Sequence, residues 1–158
     1  MESLYTIRGS ARHAARLLAV QLLYQKEQTG QPVEEVFRHF EEWYVTVFQS
    51  RNAEKKKPQP LDLVLLRDLT QGAASQSEAS KKVLARYLAQ NWTLERLPLV
   101  LRLILELGIY ELTENHVPRP IVISEYVNLT KSFFDGSEEA FVNGLLDKVH
   151  HELVLTTC

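Results

Sequence analysis

The sequence predicts an all-α bundle of six or seven helices, and three observations carry that prediction. Apolar residues recur at threes and fours through most of the chain, the period of a helix with one buried face. Glycine, proline and serine fall between those stretches, where they start or stop helices. No two alternating apolar runs joined by a tight turn offer a sheet. With 158 residues, 45% hydrophobic and 24% charged, the chain suffices for one ordinary core and is short for two, so residues 1–158 read as one globular domain.

The first helix carries ARHAARLLAVQLLYQ from Ala11 to Gln25. At about 100° per residue Ala11, Ala14, Ala15, Leu18 and Leu22 share an arc, while Arg12, His13 and Arg16 lie largely outside it, so the helix has a packed side and a cationic side. Beyond Ala19 the polar residues thin out, and the far end should be buried on most sides. Thr29-Gly30-Gln31-Pro32 ends this helix and opens the next. Val33, Val36, Phe37, Phe40, Trp43, Tyr44, Val47 and Phe48 then form an aromatic stripe that reads as core. Residues 49–60, QSRNAEKKKPQP, are a polar loop, and Lys55, Lys56 and Lys57 within it read as solvated.

Residues 61–87 divide into two helices, because Gly72 and the serines at 75, 77 and 80 interrupt or cap near the middle. Asn91-Trp92-Thr93 is a turn in which Thr93 is placed to cap the next helix. Residues 94–112 are the most apolar part and read as the central helix, with Pro98 near its start, where a missing N–H costs nothing. Arg102, Glu106 and Tyr110 are spaced by four and form one stripe able to pair internally or reach a neighbour. After the connection NHVPRP, Ile121-Val122-Ile123 resembles a strand by propensity, but Pro120 as an opener and Glu125, Leu129 and Phe133 at intervals of four favour a helix to Phe134. Ser137, followed by Glu138 and Glu139, is a good start for a last helix running from Glu138 to Val154. Gly144 inside it costs about 1 kcal/mol relative to alanine, which a close helix crossing would explain.

The net charge of −2 gives no general attraction for nucleic acid, so any such binding needs a local patch. The charge is unevenly placed. Residues 1–30 set Arg8, Arg12, Arg16 and Lys26 against Glu2 and Glu27, whereas residues 121–155 set Lys131 and Lys148 against six acids. One end suits an anion and the other a basic partner. The chain has no phosphate-binding glycine loop, dinucleotide fingerprint, CxxC or HExxH, so neither enzyme nor cofactor is expected. His150-His151 are adjacent and diverge by about 100° on a helix, poor geometry for one metal. A single cysteine, Cys158, and the lack of a signal-like or spanning apolar run point to the cytoplasm.

Three blocks then give the chain a resemblance to the NusB family of bacterial transcription antitermination factors. They are ARHAARLLAVQLLYQ, RLPLVLRLILELGIYEL from Arg96 to Leu112, and VISEYVNLTKSFF followed by FVNGLLDKV from Phe141 to Val149. The resemblance implies an all-helical bundle in two small subdomains without enzymatic activity. It also implies binding to boxA single-stranded RNA of ribosomal RNA leaders, together with NusE, the small-subunit ribosomal protein, within the RNA polymerase antitermination complex. By position, RNA contacts fall on Arg8, Arg12, His13 and Arg16, with Lys131 and Phe141 continuing the surface. Partner contacts fall on Tyr24, Leu101, Ser137, Glu138 and Glu139. Leu101 stands where relatives often carry an acid and Ser137 where some do, and Glu138 and Glu139 are placed to compensate; Glu106 stands where arginine is frequent. His13 replaces a second arginine and adds a group able to titrate near neutral pH. The alternative is a helical protein-interaction or ribosome-biogenesis adaptor, including a homodimer. The same architecture occurs fused to ribosomal RNA methyltransferases, but this sequence has no methyl-donor-binding domain.

Overall fold

The computed structural model describes residues 10–53, 61–88 and 93–156, with the side chains of 48–53 excepted. Among the described residues seven α-helices occur in order: α1 (Ala11–Thr29), α2 (Val33–Ala53), α3 (Leu63–Ser75), α4 (Ser77–Tyr87), α5 (Leu99–Glu114), α6 (Arg119–Thr130) and α7 (Glu138–Thr156). A single 3-10 turn, Leu94–Arg96, precedes α5. No strand occurs among the described residues, so Ile121-Val122-Ile123 is helical despite its branched side chains. No helix among them is long and apolar enough to cross a membrane. The chain divides into two compact units, Met1–Gln71 and Gly72–Cys158.

In the first unit α1 and α2 pack as a helical hairpin. The turn between them is fixed by Gly30, whose φ of 73° lies in the left-handed region and whose N–H donates to the Lys26 carbonyl. From Ala14 to Val20 every residue of α1 is buried. Val33, Val36, Phe37 and Phe40 answer from α2, and the stripe continues with Phe40 stacked on Tyr44 at 5.9 Å between ring centroids. Trp43 stays 47% exposed and Tyr44 and Val47 are half-buried, so up to Val47 the stripe is core only along its first half; the Phe48 side chain lies outside the described residues. The N-terminal part of α3 lies against α2, with the Arg67 guanidinium 5.1 Å from the centre of the Phe37 ring and 3.1 Å from Glu41.

The second unit is organised around α5, which packs against α4, α6 and α7. Ile104, Leu105, Leu107 and Leu112 are fully buried along it. At about 1.5–3 kcal/mol each, these side chains outweigh any single polar contact in the unit. Gly108 permits a close crossing, because a Cβ there would stand 3.0 Å from Leu146 Cδ1 of α7. A second close approach is at Gly72, whose Cβ would lie within the ring of Tyr110, 2.1 Å from Cζ. Gly144, expected at a crossing, instead faces open space with nothing within 4 Å. The crossing of α5 and α7 is set by the glycine on the other helix.

The polar stripe on α5 turns inward. Glu106 is 3% exposed, pairs with Arg102 at 2.7 Å and accepts a 2.6 Å hydrogen bond from Ser77 Oγ on α4. Burial of its carboxylate is thus offset by a charge and a hydroxyl. Glu111, also buried, accepts a 2.7 Å hydrogen bond from the Tyr126 hydroxyl of α6. Several boundaries differ from the sequence expectation. The 3-10 turn and α5 are separate because Leu97-Pro98 is extended, with Pro98 at the N-cap. Thr93 precedes the turn without a side-chain capping bond. Helix α6 stops at Thr130, after which i to i+3 bonds from Ser132 and Phe133 tighten the chain into a turn.

Candidate nucleic-acid interface

The first turn of α1 presents the cationic tip. Ser10 caps the helix, its hydroxyl accepting from the His13 N–H at 3.1 Å, and the Ala11 carbonyl accepts from the Asp62 N–H at 3.3 Å. The tip is therefore tied both to its own cap and to the start of α3. Arg12 is exposed and His13 half-buried, and neither makes an ion pair among the described residues. The Arg12 charge also opposes the helix dipole, since the first turn holds no acid and a cation there is disfavoured by a few tenths of a kcal/mol or more. A bound anion would relieve that conflict.

Arg16 departs from the expected cationic face. It is 3% exposed and engaged with neighbours, because α1 is enclosed on all sides from Ala14 to Val20 and over that stretch its helical wheel no longer separates a wet side from a dry one. The exposed set reduces to Arg12 and part of His13. Arg8 and Lys55 to Lys57 lie outside the described residues, as do Asn91 and Trp92. Tyr24, on the same helix, is 41% exposed.

In the second unit the partner residues expected from sequence converge. Leu101, Ser137 and Glu138 line one groove of about 260 Å³ with Leu97, Pro98 and Phe141. Two helix starts build it: Pro98 and Leu101 come from the beginning of α5, and Ser137, Glu138 and Phe141 from the beginning of α7. Leu101 is 5% exposed, so it forms a wall rather than a projecting contact. Phe141, 36% exposed, is a groove residue and not core. Leu97 and Pro98 carry no functional signal in the sequence, because a leucine and a proline before a helix look like any helix entry. Lys131 and Glu139 do not line the groove; they face each other, with Nζ 3.5 Å from Oε1.

No group of three or more histidine, cysteine or acidic side chains able to hold a metal occurs among the described residues. The His150 and His151 rings lie tilted to each other, 5.6 Å between centroids, and His151 approaches Asp147 at 3.5 Å.

Comparison with known proteins decides the family. The NusB family profile matches residues 13–151. The chain belongs to the NusB family. It is 38% identical over 139 residues to the transcription antitermination protein NusB of Caulobacter vibrioides, covering 87% of this chain and 91% of that one. It is 36% identical over 143 residues to the protein of that name from Sphingopyxis alaskensis, covering 90% and 93%. Among solved structures, the fold matches a chain from a crystal structure of the antitermination factors NusB and NusE in complex with double-stranded RNA, with a TM-score of 0.68 over 90% of this chain and 97% of that one at 23% identity. The all-helical NusB fold expected from the three sequence blocks is therefore present.

Proposed function

We propose that this NusB-family protein is an antitermination factor that binds boxA single-stranded RNA of ribosomal RNA leaders together with NusE. The observation that carries the reading is the first turn of α1, where exposed Arg12 and half-buried His13 precede seven consecutive buried residues. The buried run fixes where the cationic turn points, which lowers the ordering cost of binding. Arginine and imidazole planes suit unpaired bases as well as phosphates. The family relatives named for antitermination support the reading, and the related fold crystallised with NusE and double-stranded RNA supports NusE as partner and RNA as ligand.

In this reading Arg12 and His13 meet the RNA. Arg16 supports them from inside the helix packing, Arg8 extends the patch upstream, and Lys131 and Phe141 add contacts in the second unit. NusE contacts fall on Tyr24 in the first unit and, in the second, on the groove of Leu101, Ser137 and Glu138 with Glu139 beside it. Apolar walls with a carboxylate at the rim suit an apolar side chain flanked by a basic one. The protein works in the cytoplasm, within the RNA polymerase antitermination complex.

Arg12→Ala tests the reading. Each phosphate contact to a single strand contributes about −0.7 to the slope of log affinity against log salt, so this variant should bind boxA RNA more weakly and with a slope shallower by about 0.7. Unchanged affinity and slope in a folded variant would remove α1 from the interface.

A further inference from the structure

Lys131 and Glu139 carry opposite expectations, one for RNA and one for a protein partner, yet each is the other's charged neighbour. Lys131 is the C-cap of α6, its backbone N–H donating to the carbonyls of Asn128 and Leu129. Glu139 lies in the first turn of α7. A cation at a helix C-terminus and an anion at a helix N-terminus are both favoured by the dipoles, so the two helix ends hold the pair across the turn. Lys131 Nζ stands 3.5 Å from Glu139 Oε1, with the side chains 59% and 36% exposed. That oxygen is itself enclosed and accepts no hydrogen bond among the described residues. Lys131 is thus the cation that neutralises it, while the ammonium keeps an open side toward solvent.

We propose that Glu139 sets how strongly RNA is held at Lys131, its carboxylate competing with a phosphate for the same ammonium. The inference rests on the RNA-binding reading above. A phosphate reaching Lys131 either displaces Glu139 or shares the ammonium with it, and in both cases meets a like charge a few ångströms away. Lysine, a flexible point charge with three donors, can be shared in this way where a forked guanidinium would be locked into a bidentate pair. The size of the effect is bounded by what exposed ion pairs are worth, about 1.4-fold to 5-fold in an equilibrium.

The test is a double-mutant cycle on the full chain with boxA single-stranded RNA, using Glu139→Gln, Lys131→Ala and the double variant. Glutamine keeps the shape and reach of the side chain and removes its charge, exchanging one acceptor oxygen for an amide donor. Glu139→Gln is expected to tighten RNA binding about twofold to fivefold at low salt and to steepen the salt slope by up to about 0.7. In the Lys131→Ala background the same change should do markedly less. An equal gain in both backgrounds would mean that Glu139 acts only as a distant negative charge, and no gain in either would mean that the pair does not compete with RNA; each result overturns the inference. Arg12→Ala, measured alongside, keeps the two readings apart. If Arg12→Ala weakens binding while the cycle shows no coupling, the competition at Lys131 fails and the function stands. If wild-type protein does not bind the RNA at all, both fail.

Discussion

Replacing Gly72 and Gly144 by alanine should move stability in opposite directions, although both glycines lie within α-helices. At Gly72 a Cβ would stand 2.1 Å from Tyr110 Cζ, 2.2 Å from its hydroxyl oxygen and 2.5 Å from Cε1. Ordinary carbon contacts need roughly 3.5–4.0 Å, so the Tyr110 ring or one of the two helices must shift by more than an ångström. Tyr110 is 5% exposed and cannot simply swing into solvent. Overpacking of this kind costs about 1–3 kcal/mol, and the better helix propensity of alanine returns about 0.8–1.0. Gly72→Ala should therefore destabilise by up to about 2 kcal/mol, toward the upper end because the overlap exceeds an ångström. At Gly144 nothing lies within 4 Å of a Cβ, so only the propensity remains and Gly144→Ala should stabilise by up to about 1 kcal/mol. Urea unfolding monitored by far-ultraviolet circular dichroism measures both as shifts in midpoint at unchanged slope. If Gly72→Ala proved as stable as the wild type, the close approach of Gly72 to α5 would be wrong. A destabilised Gly144→Ala would restore the crossing that the sequence suggests and the structure denies.

Three further outcomes rest on particular contacts. Glu106→Ala should cost about 1.5–3 kcal/mol or more in urea unfolding, because it removes both the 2.7 Å pair with Arg102 and the buried acceptor of the Ser77 hydroxyl. Ser77→Ala should cost about 1.5–3 kcal/mol, the range for a hydrogen bond to a charged group, and the double variant should show that the two losses are not additive. The Tyr87 hydroxyl donates to Glu152 at 2.5 Å; that hydrogen bond, burial and the Glu152 charge raise its pKa above 10.0, while Arg86 opposes the shift. Because the folded state holds the phenolic proton more tightly, this contribution is complete below about pH 10 and is lost as pH rises from there through the raised folded value. Tyr87→Phe should therefore lose less stability than the wild type between neutral pH and the alkaline range, as read from thermal unfolding at a series of pH values. An identical alkaline slope in both proteins would dissolve the link between Tyr87 and Glu152.

Local signals tell the helices apart and tertiary arrangement escapes them. Gly30 stops α1 by a left-handed conformation that glycine adopts most cheaply, and such a stop is visible in one residue and its neighbours. The helical period likewise separates α6 from a strand despite three consecutive branched residues, because four-residue spacing and a proline opener outweigh local propensity. Arg16 misleads for a complementary reason: its position on the wheel says which side of α1 it occupies, but whether that side is wet depends on what packs there. Gly144 and Gly108 look alike in sequence, and only the path of α7 across α5 decides which of them is needed. Leu101 stands out in the sequence for a missing charge, whereas the structure makes it a groove wall beside Phe141. The meeting of Lys131 with Glu139 depends on the turn that brings the end of α6 beside the start of α7, and no spacing rule encodes that turn.

Binding of boxA single-stranded RNA, measured by fluorescence anisotropy with and without NusE, bears most directly on the proposed function. The expected result is binding by the protein alone, tighter binding when NusE is added, and weaker binding to a scrambled single strand and to a duplex of the same sequence. Equal affinity for boxA and the scrambled strand, unaffected by NusE, would contradict it and leave a helical adaptor whose basic tip is incidental.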